Sequence, residues 1–175
     1  YTRETSGYLA AFGASAKGHI SYMDEQRKIA ENSTLTELDS MQFRAKIHMA
    51  GEHASPLIYA CSLADFLSID QNKYEVVAIT GNSMGWYSAL ALSGALTHVN
   101  AYALIDTMGS MMKGGIMGGQ IIYSLVDDNW HIDDAKKASV LTEIKNVGAH
   151  VSIFLGGYLV IGGEQSALDI LLKTL

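Results

Sequence analysis

The chain has 175 residues, 49% of them apolar and 17% charged, which suits one domain or one domain carrying a small subdomain. So apolar a sequence can bury enough surface to offset its chain entropy, which argues against disorder. The formal net charge is −6, and the densest basic spots are the pairs Arg27-Lys28 and Lys136-Lys137. Phosphate neutralisation needs a concentrated basic surface, so nucleic acid is not an expected partner.

From the N-terminus, "SGYLAAF" reads as a short helix and Ser21–Glu31 as a solvated one. Thr36–Met49 reads as a further helix, with Met41, Phe43 and Ile47 available for burial. Ser55-Pro56 supplies an N-cap and a first-turn proline for "LIYACSLADFL", which is apolar on most faces and should be well buried. Its Cys61 is the only cysteine, so no intramolecular disulfide forms, and its apolar neighbours suggest a buried thiol acting as a small hydrophobe. "SIDQNK" then breaks the pattern before "YEVVAIT", a β-branched run that predicts a strand ending at Gly81.

Beyond Gly85, Trp86–Leu96 predicts a small-residue helix, and Thr97 can cap a second one from His98 to about Met112. "KGGIMGG" is the strongest candidate linker, since four glycines leave the backbone easy to bend. It divides the chain into residues 1–114 and 115–175. The second part reads strand "QIIYSLV", helix "DDAKKASVLTEIKNVG", strands "HVSIFL" and "YLVIGG", then helix "EQSALDILLKTL". This β-α-β-β-α order makes five of the six elements of a ferredoxin-like unit. The absent final strand would leave an exposed edge, so the expectation is a piece of a larger polypeptide. No apolar run reaches the length of a membrane span, and the first residues do not read as a signal peptide. A cytoplasmic protein that does not engage membranes is expected.

The chemistry concentrates in "VVAITGNSMGWYSALALSGAL". Gly-x-Ser-x-Gly alone is a weak signal, but here a strand is predicted before Gly81 and a helix after Gly85, as a nucleophile elbow demands. The sharp turn should leave room only for small side chains at Gly81 and Gly85, and should lift the Ser83 hydroxyl clear. The helix N-terminus favours negative charge there, and Met84 N–H would be half of an oxyanion hole. The competing reading is a plain tight turn in which Ser83 only caps the helix.

The stretch from Val76 to Met112 resembles the nucleophile segment of the malonyl-CoA:acyl carrier protein transacylase family, whose elbow reads Gly-His-Ser-x-Gly-Glu-Tyr-Ser-Ala. Gly81, Ser83, Gly85, Tyr87, Ser88, Ala89 and Gly94 match. "SPLIYACSLADFL" resembles the family's Gln-Pro-Ala-Leu helix, and "YLVIGGEQSALDILLKTL" resembles part of its ferredoxin-like subdomain. The resemblance implies an α/β fold, with an α/β-hydrolase-like large subdomain and a partial ferredoxin-like small one. It also implies transfer of an acyl group from coenzyme A through a Ser83 ester to the phosphopantetheine thiol of an acyl carrier protein. Acyl-CoA and the carrier protein are then the expected partners, with no permanently bound cofactor.

The departures bear on substrate. Asn82 replaces the family's usual histidine, Trp86 its glutamate, and Ser55 the glutamine before proline. Met108 stands where the family has the arginine that grips malonate. A thioether cannot make those charge-assisted hydrogen bonds. Met108, with Met111 and Met112, suggests an apolar acyl pocket, to which Asn82 and Ser55 would also belong; methionines that simply pack a helix are the alternative. The family's catalytic histidine would lie beyond Leu175, and nothing before Tyr8 resembles its Gln-Gly strand. None of His19, His48, His53, His98, His131 and His150 sits at a family position, and no metal-ligand spacing occurs. Two other functions remain open: a serine hydrolase of acyl thioesters, and a non-catalytic relative that docks a carrier protein.

Overall fold

A computed structural model describes residues 1–115 and 118–175. The chain separates into two units, Tyr1–Gly114 and Gly115–Leu175, each with its own apolar core. The boundary falls in the glycine-rich run, of which Ile116 and Met117 lie outside the described residues.

In the first unit the α-helices are α1 (Tyr8–Phe12), α2 (Lys17–Ile29), α3 (Leu35–Ser40), α4 (Ala45–His48), α5 (Gly51–Leu67), α6 (Gly85–Leu92) and α7 (His98–Ser110). The core forms around α5, whose Leu57, Tyr59, Ala60, Leu63 and Ala64 are all fully enclosed. Ala101, Tyr102 and Ile105 of α7 join it, as do Leu35 and Leu38 of α3. Glycine lets α5 and α7 cross closely: a Cβ on Gly109 would stand 2.5 Å from Gly51 O, and one on Gly51 would stand 2.8 Å from Gly109 O.

Four local expectations need correction here. Helix α2 starts a turn before Ser21, because Ile20 extends the inward stripe of Met23 and Arg27, and all three are buried. The expected helix over 36–49 is two helices. Thr34 caps α3 in a reciprocal pair with Glu37 (3.1 and 2.9 Å), and Met41 is extended. His48, not Met41, turns inward: its Nδ1 accepts from Arg44 N–H (3.0 Å) and its Nε2 donates to Leu38 O (2.9 Å).

Pro56 is not a first-turn residue, since α5 runs on from Gly51 with Pro56 inside it. A proline there removes the donor that Glu52 O would otherwise meet. That carbonyl instead accepts from Arg27 Nη1 at 3.0 Å. Lastly, Tyr74–Thr80 forms no strand: among the described residues, no backbone N–H from Glu75 to Met84 donates to another backbone group. A strand needs a neighbour, and the only described sheet belongs to the other unit.

That second unit contains β1 (Gly119–Ser124), α8 (Asp134–Asn146), β2 (His150–Leu155), β3 (Tyr158–Gly163) and α9 (Gln165–Thr174). The sheet order is β1-β3-β2, antiparallel throughout, with Ile121 opposite Ile161 and Phe154 opposite Leu159. Left-handed Gly156 makes the tight β2–β3 turn. Asp133 caps α8 by accepting from Lys136 N–H at 2.9 Å. Leu159 and Ile161 of β3 meet Val140 and Ile144 of α8 and Leu168 and Leu171 of α9 in one core. This is the expected ferredoxin-like order, and the whole chain mixes helix and sheet as the α/β class requires.

Candidate active site

The turn that carries Ser83 is built by backbone contact. A Cβ on Gly81 would lie 2.0 Å from Gly85 O and 2.8 Å from Trp86 N, so only glycine fits where the chain doubles back on α6. Gly85 N–H donates to Asn82 O at 2.8 Å, and Trp86 N–H donates to Ser83 O at 3.0 Å. The steric need expected at Gly85 is absent, because a Cβ there meets nothing within 4 Å. The first residue of the helix points its Cα substituent into open space.

Ser83 adopts φ +53°, a left-handed conformation that costs a non-glycine residue about 1–2 kcal/mol. Its side chain is exposed, and its hydroxyl makes no hydrogen bond to any described residue. It therefore does not cap α6, whose N-cap is Met84. Met84 N–H points to no acceptor among the described residues, while Ser88 Oγ holds the Met84 thioether at 3.6 Å. A strained, exposed hydroxyl beside a free N–H at a helix N-terminus can approach an acyl carbon and steady the resulting oxyanion.

Of the other expected site residues, Asn82 is exposed on the same turn. Ser55 lies on α5 against the helix crossing, 3.1 Å from where a Gly109 Cβ would stand, and Met108 is the neighbour of that glycine. Met108 is 36% exposed, and Met111 and Met112 are more exposed still, while the Met112 side chain packs against Gly51 of α5. Met49 is also exposed and sits two residues before Gly51. A groove of about 420 Å³ adjoins the turn, lined by Ile79, Gly81, Trp86, Tyr87 and Leu90 among others, but not by Ser83, Ser55 or Met108.

No described histidine hydrogen-bonds Ser83. Both ring nitrogens of His48 are used, and His53 Nδ1 is bonded to Ile47 O at 3.0 Å. His98 Nδ1 meets the Tyr59 hydroxyl at 3.1 Å, and its ring stands edge-on to His19, centroids 4.4 Å apart. Burial, and next the His19 charge, push the His98 pKa below the ordinary imidazole value. Cys61 is half-buried, and burial together with Asp39 and Asp65 pushes its thiol up to about 12, which keeps it protonated and unreactive. Among the described residues, no three His, Cys, Asp or Glu side chains cluster as metal ligands would, and no helix is long and apolar enough to cross a membrane.

Arg27 is the residue that sequence reasoning missed. In sequence it stands out only as half of a basic pair, although its spacing from Ile20 and Met23 marks the inward face of α2. It is 1% exposed; Nε donates to Ser33 O (2.5 Å) and Nη1 lies 3.2 Å from Asp106 Oδ1 on α7. Its Nη2 is buried without a partner among the described residues.

No protein-family model matches the chain, and no curated protein does. Solved structures do. The acyl transferase domain of ZmaA superposes with a TM-score of 0.75 at 15% identity, over 98% of this chain and 40% of that one. The malonyl-CoA:acyl carrier protein transacylase of Clostridium perfringens gives 0.72 at 20% identity, over 99% and 53%. A malonyl-transacylase in complex with its type II PKS acyl-carrier protein, PlMCAT:AntF, gives 0.69 at 22% identity, over 95% and 53%. The chain thus spans about half the length of the structures it matches. Its fold is that of the malonyl-CoA:acyl carrier protein transacylases and related acyltransferase domains.

Proposed function

We propose that this chain carries the nucleophile of an acyltransferase that moves an acyl group from coenzyme A to the phosphopantetheine thiol of an acyl carrier protein. The observation that supports the reading most is Ser83 itself: left-handed, exposed and not capping its helix, on a turn that Gly81 alone permits. In the first step Ser83 Oγ bonds to the thioester carbon, the C–S bond breaks, and the coenzyme A thiol leaves with the hydroxyl's proton. In the second the carrier thiol attacks the ester carbon, the C–O bond breaks, and Ser83 regains a proton from that thiol. One thioester is exchanged for another, and Met84 N–H donates to the oxyanion in both steps.

The acyl group is uncharged in this reading. The exposed thioethers of Met108, Met111, Met112 and Met49 offer apolar, adaptable surface and no partner for a carboxylate. Where the bound acyl chain shuts that surface off from water, an unpaired carboxylate would cost several kcal/mol. Acyl-CoA itself brings the reacting group, so no resident cofactor is required. The reaction suits fatty-acid or polyketide assembly in the cytoplasm, and the carrier-bound neighbour supports the choice of acceptor.

The test is turnover of acyl-CoA by the natural polypeptide, with and without a phosphopantetheinylated carrier protein. Acyl-carrier thioester should accumulate and vanish in Ser83→Ala. Free acid released equally without carrier would make the protein a hydrolase. No turnover of any acyl-CoA would overturn the catalytic reading.

A further inference from the structure

We infer that Arg27 is a positioning residue that fixes the α5–α7 crossing and thereby sets which acyl chains the protein accepts; this rests on the acyltransferase reading above. Three contacts carry the inference. Nε holds Ser33 O, Nη1 holds the Glu52 carbonyl that Pro56 leaves without a helical donor, and the same nitrogen pairs with Asp106. Asp106 lies one turn before Gly109, and Glu52 follows Gly51, so the guanidinium ties α5 to α7 beside the glycines that touch. Ser55 and Met108 ride on that crossing, and a small change in the separation or tilt of the two helices moves one against the other.

Stability alone does not explain this choice of residue. A buried ion pair replaced by well-packed apolar side chains is often neutral or stabilising. Here one guanidinium nitrogen is also left without a hydrogen bond, which an apolar residue would avoid. What an apolar side chain cannot do is grip the freed Glu52 carbonyl and an α7 carboxylate together. The two N–H bonds of Nη1 do so, while Nε holds Ser33 O in the same rigid plane.

The experiment compares Arg27→Met and the double variant Arg27→Met/Asp106→Leu with wild type in the natural polypeptide. The double variant leaves no unpaired buried charge, so it gives a reading if the single one does not fold. Two rates are measured: Ser83 labelling by a small fluorophosphonate, which reports the turn alone, and Ser83 acylation by acetyl-CoA against octanoyl-CoA. The expected result is labelling within about twofold of wild type, with the acetyl/octanoyl ratio shifted by about tenfold or more. A folded variant whose ratio stays within about twofold of wild type overturns the inference while leaving the acyltransferase reading intact. Wild-type protein that takes fluorophosphonate but no acyl group removes that reading and the inference with it.

Discussion

Tyr74–Thr80 and β3 are both apolar, β-branched hexamer-to-heptamer runs, yet one is an unpaired stretch and the other the centre of a sheet. Leu159 and Ile161 are fully enclosed in β3, which pairs with a strand on each side, whereas Val77 is 86% exposed and its backbone is unpaired. Composition is shared; neighbours are not. β-propensity describes a fit to a pleated, half-covered surface, and it has no effect where that surface is absent. The contrast also separates two kinds of glycine-dependent geometry. The Gly156 turn joins paired strands, while the Gly81 turn holds its shape by contact with the helix that follows.

Leu159→Ala should cost about 2–5 kcal/mol in urea unfolding, while Val77→Thr should change stability by less than about 0.5 kcal/mol. Equal losses would mean that Val77 is packed like a strand residue. Next in size is Gly81→Ala, which should cost about 1–3 kcal/mol and slow fluorophosphonate labelling of Ser83, because the new methyl collides with Gly85 O. Gly85→Ala, whose methyl meets open space, should do neither.

Smaller still is the strain at Ser83. Ser83→Gly and Ser83→Ala both remove the hydroxyl, but glycine tolerates a positive φ. The glycine variant should therefore be the more stable of the two by about 1 kcal/mol. An alanine variant of equal or greater stability would deny the left-handed conformation.

The folded pKa of His98 is depressed, by burial first and then by His19, so the unfolded chain takes up a proton that the folded one resists. Stability is thus full above about pH 6.5, the unfolded imidazole value, and falls as pH drops towards the folded value. Thermal melts across that range should show Tm declining with acidification, and His98→Gln should flatten the decline.

Much of this was legible in the sequence and some was not. The cap at Thr97, the helix after Gly85 and the β-α-β-β-α order are local signals, and the structure keeps each where local chemistry puts it. What local pattern misses is anything settled by a distant group. The strand over 74–80 depends on a neighbour. The break at Met41 depends on His48 bonding back to Leu38 O. Pro56 is tolerated inside α5 because Arg27, far away in sequence, takes the carbonyl it frees.

The central claim is that one hydroxyl, strained and exposed at the Gly81 turn, accepts an acyl group. The most direct measurement is peptide-level mass mapping of the natural polypeptide after brief exposure to acyl-CoA. An acyl mass localised to Ser83, and removed by the carrier thiol, is the predicted result. An acyl mass on any other residue, or none on Ser83 with every acyl-CoA tried, would contradict it.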